Sequence, residues 1–333
     1  MNYFSYFLIL FLVFLFNFIL FKFYKSFALK INLYDYPDQS RKKHSIATPL
    51  LGGVYLILNL FLFFFLNKIF NFIGEQFEFN LFLIFSSLIF ILGFLDDKYD
   101  LKAINKFFIL FVIILALINF NESLVVKNLY FETFDLNINL GKYSIFFTIL
   151  CFMLFINACN MFDGINLQLG LYSLQIFLFL FMNNIFPILS ILFCIFLFFY
   201  IYLNKNGSIF FGDSGSLLIS FLISYLIISE YNDKTLILSC EIIFILMFLP
   251  GFDMFRLFLF RLIKRRNPFS PDSEHIHHLL TKKFNFLKST FFTQLFISFG
   301  LISVNFISPL YTIVSLILIY IILIVYLNKS LVN

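Results

Sequence analysis

Charged residues are scarce in this sequence, and tryptophan is absent. Only 12% of the 333 residues are charged, 62% are hydrophobic, and phenylalanine alone occurs 57 times. Soluble globular domains carry about 25% charged residues, so this composition excludes a soluble globular protein. The sequence therefore predicts an all-α integral membrane protein with a membrane-lipid environment.

The four cysteines and the small net charge argue against a cysteine-based metal or redox site and against nucleic acid as a partner. Cys151, Cys159, Cys194 and Cys240 lie in or beside apolar runs without CxxC spacing, which is typical of isolated apolar thiols. The net charge of +5 is modest for this length. It indicates lysine and arginine beside membrane spans, and it does not favour nucleic acid as a partner.

Long apolar runs occupy most of the chain and predict ten or eleven membrane spans in a single domain, residues 1–333. A helix that crosses a bilayer needs about 20 mostly apolar residues. The first run, Phe4 to Phe23, has no basic residue before it and no small-residue cleavage site, so we expect it to remain as a helix. The predicted spans are 3–25, 50–70, 80–96, 104–121, 143–160, 167–183, 185–203, 215–230, 235–255, 289–307 and 310–327.

The distribution of basic residues predicts how these spans are oriented. If the N-terminus is outside, only Lys68, Lys127, Lys142 and Lys234 of the 23 lysine and arginine residues lie on the outer side. This asymmetry follows the positive-inside rule. All unusual polar clusters then lie on the inner side, which predicts a cytoplasmic active site. The outer segment 121–142 alternates polar and apolar residues and predicts a small β-hairpin.

Three carboxylates end one of the predicted spans. Asp96, Asp97 and Asp100 have spacings that place them close together on a helix. Crowded carboxylates repel one another unless a cation or a proton lies among them, and Mg²⁺ prefers oxygen ligands. The pattern is therefore interpreted as a metal or phosphate site, with a solvated helix end as the alternative.

Two further spans carry polar residues at their predicted inner ends. Asn157, Asn160 and Asp163 emerge from one span at i, i+3 and i+6, where unpaired polar groups are costly, so this pattern favours function over packing. Asp213 lies within Gly-Asp-Ser-Gly-Ser at the start of the other span. Small residues and a helix N-terminus favour an anion, so Asp213 is a candidate metal ligand beside a phosphate cradle. A simple helix cap is the alternative.

The last inner loop combines basic residues with three of the four histidines. A zinc site is one interpretation of its HxHH pattern, but no cysteine lies near and the surroundings are rich in arginine. A basic pocket for phosphate groups fits better, and all the clusters together suit phosphoryl transfer. The residues of this loop are Arg256, Arg261, Lys264, Arg265, Arg266, His275, His277 and His278.

These motifs resemble the polyprenyl-phosphate N-acetylhexosamine-1-phosphate transferases, whose relatives include phospho-N-acetylmuramoyl-pentapeptide transferase. The resemblance covers roughly residues 30–285, and its five parts occur in the order of the family. The parts are DYP (35–37) with RKKH (41–44) and PLLGG (49–53), DD (96–97), NACNMFDG (157–164), GDSGS (212–216), and PFSPD (268–272) with HIHH (275–278).

The resemblance implies a reaction and roles for individual residues. A sugar-1-phosphate, with GlcNAc-1-phosphate as the first choice, would pass from a UDP-sugar to undecaprenyl or another polyprenyl phosphate at the bacterial inner membrane. The cofactor would be Mg²⁺, with Mn²⁺ as an alternative. The implied catalytic residues are Asp96, Asp97 and Asp163, the metal ligands are Asp213 and Asn160, and the substrate contacts are Lys42, His44, Asn157, Asn160, Arg261, His275, His277 and His278.

The chain departs from the family at one place, and several alternatives stay open. Where the family usually continues Asp-Gly-x-Asp-Gly-Leu, this chain has Asn166 and Leu167 in place of the second acid and glycine, which leaves the sugar undecided. The muramoyl-pentapeptide branch, an intramembrane prenyltransferase and a transporter are alternative functions. Prenyltransferases normally have two Asp-rich motifs, and transporters place polar groups near the bilayer midplane. A homodimer and a two-step mechanism are also open.

Overall fold

The computed structural model describes residues 3–37, 47–73, 78–233, 238–266 and 274–332. Two predicted substrate contacts, Lys42 and His44, lie outside the described residues, as does the PFSPD motif. The chain forms two compact units, each built from two separate segments. The first unit combines Met1–Glu122 with Ser173–Leu226, and the second combines Ser123–Tyr172 with Ile227–Asn333.

Helices account for most of the described residues, which confirms the predicted all-α class. Two short antiparallel strand pairs accompany them: β1 (Tyr34–Asp35) with β2 (Thr48–Pro49), and β3 (Asn128–Phe131) with β4 (Leu136–Asn139). The helices are α1 (Tyr3–Lys22), α2 (Tyr24–Ile31), α3 (Gly52–Phe70), α4 (Phe79–Tyr99), α5 (Ala103–Phe120), α6 (Ser144–Phe162), α7 (Gln168–Met182), α8 (Pro187–Lys205), α9 (Gly212–Asn232), α10 (Cys240–Leu246), α11 (Phe248–Ile263), α12 (Ile276–Lys283), α13 (Phe286–Ser303) and α14 (Pro309–Val332).

The ends of several helices follow from short polar side chains. Asn32, Asn71 and Asp100 end α2, α3 and α4 in the left-handed conformation, with φ between 46° and 51°. Asn and Asp tolerate this conformation better than other residues with a β-carbon, because their side chains can hydrogen-bond to the nearby backbone. Asp100 therefore ends α4 three residues after Asp97, the second aspartate of the DD motif.

The described helices make this a multi-pass membrane protein, with fewer simple spans than the sequence predicts. Nine of them are long and apolar enough to cross a bilayer. The predicted span 235–255 is wrong as one continuous helix, because α10 and α11 meet at an angle of 81°. The predicted span 167–183 is an apolar helix of 15 residues, α7, which is shorter than the about 20 residues of a typical span.

The predicted hairpin within residues 121–142 is confirmed. Strands β3 and β4 pair in register, with Asn128 opposite Asn139. The connection between them is held by Glu241 of α10, whose carboxylate accepts hydrogen bonds from the backbone N–H groups of Glu132 and Thr133, both at 3.1 Å. A charged group at the start of α10 thus serves to anchor this hairpin.

A pair of buried amides joins α1 to α3 in the first unit. Asn17 and Asn59 are both fully buried and exchange two hydrogen bonds, at 2.8 and 3.0 Å. Each amide also donates to the carbonyl four residues before it, Val13 or Tyr55. The pair is satisfied on both sides, as polar groups within an apolar span must be.

We expect these two asparagines to be energetically coupled. Asn17→Leu or Asn59→Leu alone leaves the other amide buried without its partner, which costs about 1–3 kcal/mol of unfolding free energy. The double variant removes both polar groups, so its loss should fall short of the sum of the single losses by about 1 kcal/mol. Unfolding in detergent measures this difference, and strictly additive losses would contradict the pairing.

Candidate active site

Three aspartates and one lysine form a cluster in the first unit. Asp96 and Asp97 lie in the last turn of α4, Lys106 in the first turn of α5, and Asp213 in the first turn of α9. The Lys106 Nζ lies 2.6 Å from Asp96 Oδ2 and 3.0 Å from Asp213 Oδ1. The Asp96 side chain is only 6% exposed, whereas that of Asp213 is 35% exposed. One ammonium therefore pairs with two carboxylates, and the carboxylate of Asp213 remains accessible. We call these four residues the acidic–lysine cluster.

Asp97 uses both of its carboxylate oxygens to hold the start of α9. The backbone N–H of Asp213 donates to Oδ1 at 2.7 Å, and that of Ser214 donates to Oδ2 at 3.0 Å. The first N–H groups of a helix lack partners within it, and the helix N-terminus attracts negative charge. The predicted phosphate cradle is therefore wrong for these two N–H groups, because the anion there is Asp97 itself. Its carboxylate fixes the position of Asp213.

Glycines allow α3 and α4 to approach the start of α9 closely. A β-carbon at Gly93 of α4 or at Gly53 of α3 would lie 2.5 Å from a backbone atom of α9. Gly212 has a φ of +68°, and a β-carbon there would lie 2.6 Å from Asp97 Oδ2. A side chain at any of these positions would push α9 away. Gly93 was not identified as a site residue from the sequence.

The PLLGG motif pairs with the loop that leads into α9. The backbone N–H of Phe210 donates to the Pro49 carbonyl at 3.0 Å, and the N–H of Gly52 donates to the Phe210 carbonyl at 2.9 Å. The N–H of Gly53 reaches the Phe211 carbonyl at 3.2 Å. The motif thus fixes the backbone immediately before Asp213 and brings two parts of the family resemblance together.

Lys106 is a site residue that the sequence analysis missed, since it counted this lysine only among the inward-facing positive charges. It is the only charged residue of α5. A lone charge within an apolar span is costly unless it is paired, so its position in AINKFFILF is a signal that could have identified it.

The acidic–lysine cluster fits Mg²⁺ only together with a substrate. Among the residues that the structure describes, no three His, Cys, Asp or Glu side chains converge as metal ligands. Mg²⁺ commonly binds through one or two carboxylates combined with substrate phosphates and water. Asp213, with its accessible carboxylate, fits that role. The other predicted ligand, Asn160, belongs to the second unit.

In the second unit the three histidines of the HIHH motif lie against the end of α6. The ring of His277 is stacked 5.5 Å from His275 and lies 4.3 Å from His278, measured between ring centroids. The ring of Phe162 meets His277 edge-on at 5.9 Å. A β-carbon at Gly164 would overlap His277 Nε2. The end of the NACNMFDG motif and the histidine cluster, His275, His277 and His278, are therefore in contact.

His277 is buried without a hydrogen-bond partner. It is fully buried, and neither ring nitrogen has a partner among the described residues. Burial lowers the pKa of His277 well below its usual value, and the neighbouring His278 and His275 lower it further. A neutral imidazole keeps one donor and one acceptor, and leaving both unmet is costly. This arrangement favours a polar ligand beside the ring.

The remaining predicted contacts of the second unit lie on or at the ends of α6 and α11. Asn157 is half-buried and donates from Nδ2 to the Met153 carbonyl of its own helix at 2.7 Å. Asn160 is half-buried one turn later, and Asp163 caps the end of α6. Arg261 on α11 is 4% exposed. The substrate, metal and catalytic roles of these residues stay predictions.

The residues that depart from the family lie at the start of α7. Leu167, where the family usually has glycine, has a φ of +71°, a conformation that costs a β-carbon residue about 1–2 kcal/mol. Two residues of α13 hold this turn: Thr290 donates to the Asn166 carbonyl at 3.3 Å, and Thr293 donates to Gln168 Oε1 at 2.8 Å. The leucine thus keeps a conformation that glycine adopts without strain.

Comparisons with known proteins match the part of the chain that carries the acidic–lysine cluster. Residues 79–230, which include the whole acidic–lysine cluster, match the model of glycosyl transferase family 4. The chain is 28% identical over 288 residues to the undecaprenyl-phosphate alpha-N-acetylglucosaminyl 1-phosphate transferase of Salmonella typhi, covering 81% of this chain and 75% of the relative. The protein of that name from Thermotoga maritima is 29% identical over 259 residues, covering 77% and 76%. The Escherichia coli K12 protein of that name is 27% identical over 288 residues, covering 81% and 75%. By these matches, the chain is similar to glycosyl transferase family 4 over residues 79–230 and to undecaprenyl-phosphate sugar-1-phosphate transferases over most of its length.

Proposed function

We propose that this chain transfers GlcNAc-1-phosphate from UDP-GlcNAc to undecaprenyl phosphate. The family model that it matches and the names of its relatives indicate a sugar-1-phosphate transferase, in preference to a prenyltransferase or a transporter. The observation that carries the proposal is the acidic–lysine cluster, in which Asp96 and Asp213 share one ammonium and Asp97 holds the start of α9. Phosphoryl transfer depends mainly on positioning and on neutralising charge. This cluster supplies a held ammonium and, at Asp213, an accessible carboxylate that would hold Mg²⁺.

The proposed reaction needs no strong base. An oxygen of the lipid phosphate attacks the β-phosphorus of the UDP-sugar, and the bond between that phosphorus and the UMP oxygen breaks. UMP leaves with the bonding electron pair, and the sugar-1-phosphate is now linked to the lipid as a diphosphate. A phosphomonoester has a second pKa of about 6, so the lipid phosphate is largely ionised at neutral pH. Asp97, whose two oxygens already accept backbone hydrogen bonds, fits a positioning role better than that of a base.

The chain's own residues supply the charges that the reaction needs. The Lys106 ammonium offers donors to phosphate oxygens beside the accessible carboxylate of Asp213. Mg²⁺, which Asp213 would hold together with a phosphate, would supply further neutralisation of negative charge. In the second unit, the neutral ring of His277 can donate one hydrogen bond to the donor nucleotide. His275 and His278 flank that ring.

The proposal also includes a location. A UDP-sugar donor and the positive-inside distribution of lysine and arginine support a multi-pass protein of the bacterial inner membrane, with its N-terminus outside and its active site cytoplasmic. In the first unit, the end of α4 and the start of α9 meet at the acidic–lysine cluster, which supports placing these two helix ends on the same side of the membrane.

We expect Gly164→Ala to weaken use of the UDP-sugar. The new methyl group would overlap His277, which is enclosed by Phe162 and the other two histidines, so the ring must move. The expected result is a rise of about ten-fold in the KM for the UDP-sugar, the effect of misplacing one polar contact. Gly251→Ala is the matched control, because its nearest neighbour would lie 3.9 Å away. Equal KM values for the two variants would contradict a role of this contact in donor binding.

A transfer assay tests the function itself. Membranes that contain the protein receive undecaprenyl phosphate, Mg²⁺ and, in separate reactions, radiolabelled UDP-GlcNAc, UDP-GalNAc or UDP-MurNAc-pentapeptide. The proposal predicts lipid-soluble label from UDP-GlcNAc, none with Asp213→Ala, and loss of transfer when EDTA removes Mg²⁺. Label from another sugar alone would correct the substrate. No label from any donor, with folded protein, would overturn the proposal.

A further inference from the structure

A buried aspartate outside the acidic–lysine cluster organises the histidine segment of the second unit. Asp253 lies in α11 and is 1% exposed. One of its oxygens, Oδ1, accepts from Arg256 Nη2 at 2.8 Å and from the Tyr320 hydroxyl. The other, Oδ2, lies 2.8 Å from His275 Nδ1 and accepts from the backbone N–H of Ile276 at 3.2 Å. A buried carboxylate with this many donors is held in one orientation.

The network holds the start of α12 at three points. Asp253 binds the side chain of His275 and the N–H of Ile276, and Arg256 Nη2 donates to the Glu274 carbonyl at 2.8 Å. His277 follows within the first turn of the same helix. The orientation of the histidine cluster is therefore set by two side chains of α11.

Tyr320 brings α14 into this network. Its hydroxyl donates to Asp253 Oδ1 and accepts a hydrogen bond from Arg256 Nε at 2.7 Å. The Tyr320 ring is 2% exposed and meets the ring of Phe252 edge-on, with centroids 5.1 Å apart. Tyr320 lies outside the segment 79–230 that matches the family model and beyond every motif of the sequence resemblance. Its hydrogen bonds to Asp253 and Arg256 are what connect Tyr320 with the histidine cluster.

The aspartate also fixes which nitrogen of His275 faces away from the network. A carboxylate paired with Arg256 is ionised, so the His275 Nδ1 facing it carries the proton and donates. Nε2 is then the nitrogen left for other contacts. Carboxylate–histidine pairs orient a ring in the same way at many functional sites.

We propose that Asp253, Arg256 and Tyr320 are positioning residues that set the orientation and tautomer of His275, and through it the nucleotide contacts of the histidine cluster. The inference rests on the proposed function, because it assigns these histidines to the UDP-sugar. It makes α14 part of the donor-binding assembly, through a single hydroxyl group.

Tyr320→Phe tests this with the loss of one hydroxyl group from a ring that keeps its packing. We expect the KM for UDP-GlcNAc to rise about ten-fold with kcat changed less than two-fold, and the affinity for UDP, measured by calorimetry on the purified protein, to fall by a similar factor. Tyr311→Phe is the matched control, because Tyr311 lies on the same helix and is 69% exposed.

A double-mutant cycle separates positioning from general destabilisation. If Tyr320 acts through His275, then Tyr320→Phe should change UDP affinity less than two-fold in the background of His275→Asn. The inference is overturned if the losses of UDP affinity in the two single variants multiply in the double variant. It is also overturned if Tyr320→Phe leaves the KM and the UDP affinity unchanged. Asp253→Asn provides a second variant, predicted to lose UDP affinity at least as strongly. The UDP measurement needs no turnover, so it decides this inference even if wild-type protein transfers none of the sugars offered.

Discussion

Lys106→Met is expected to lower the rate of sugar-1-phosphate transfer by about a thousand-fold. Its ammonium lies within 3.0 Å of both Asp96 and Asp213, so its removal leaves two carboxylates facing one another and takes a positive charge from the site. Losing one preorganised charge or donor at a phosphoryl or acyl transfer site costs about 10²–10³ in rate. The measurement is kcat for radiolabel transfer to undecaprenyl phosphate under saturating substrates.

Lys102→Met is the matched control for this variant. Lys102 immediately precedes α5 and is exposed, so it carries the same charge one turn away from the cluster. It should keep transfer within about two-fold, as surface substitutions usually do. The uncompensated carboxylates also predict lower stability for Lys106→Met, so folding is checked by thermal unfolding in detergent. A folded Lys106→Met protein that transfers as fast as Lys102→Met would exclude Lys106 from the site.

Asp97→Asn is expected to be nearly as damaging, with transfer falling by about a hundred-fold or more. An asparagine has one acceptor oxygen, and its NH₂ group would face a backbone N–H of Asp213 or Ser214. Hydrogen bonds to a charged group are worth about 1.5–3 kcal/mol, and a helix cap about 1 kcal/mol. The start of α9 should shift, and Asp213 should move with it. Transfer rate and thermal stability are expected to fall together.

The chain provides a close control in Asp100→Asn. Asp100 ends α4 three residues later, is exposed, and has a φ of 51°, a conformation that asparagine tolerates well. Its replacement should leave transfer and stability nearly unchanged. If Asp97→Asn lost transfer but kept full stability, Asp97 would be acting on the reaction rather than holding α9. If Asp97→Asn transferred as fast as Asp100→Asn, Asp97 would have no role in the site.

Composition and motif order were sufficient to predict the helical membrane class, the hairpin within residues 121–142 and the similarity to this family of transferases. Each depends on a local pattern: apolar runs long enough to cross a bilayer, alternation of polar and apolar residues, and clusters of charge at span ends. The bend between α10 and α11 could not be predicted from such local patterns. Mean hydropathy counts apolar residues over a window and carries no information about the direction of the chain.

The site was predictable in its aspartates and histidines but not in what they contact. The sequence predicts a catalytic role for Asp97, yet its oxygens accept hydrogen bonds from the N–H groups of α9, a helix that begins 115 residues later in the chain. From the sequence alone, Lys106 is one of the positive charges expected on the inner side of the membrane. Tyr320 is one more residue of an apolar helix. Their partners lie on other helices, so no spacing along one helix reveals them.

The most direct test of the central claim is to follow the phosphorus of the donor. UDP-GlcNAc carrying ³²P in the β-phosphate and ³H in the sugar is incubated with the purified protein, undecaprenyl phosphate and Mg²⁺. Sugar-1-phosphate transfer predicts that ³²P and ³H enter the lipid phase in equal amounts and that the released nucleotide is unlabelled UMP. Tritium in the lipid without ³²P, with labelled UDP released, would mean transfer of the sugar alone and would contradict the account.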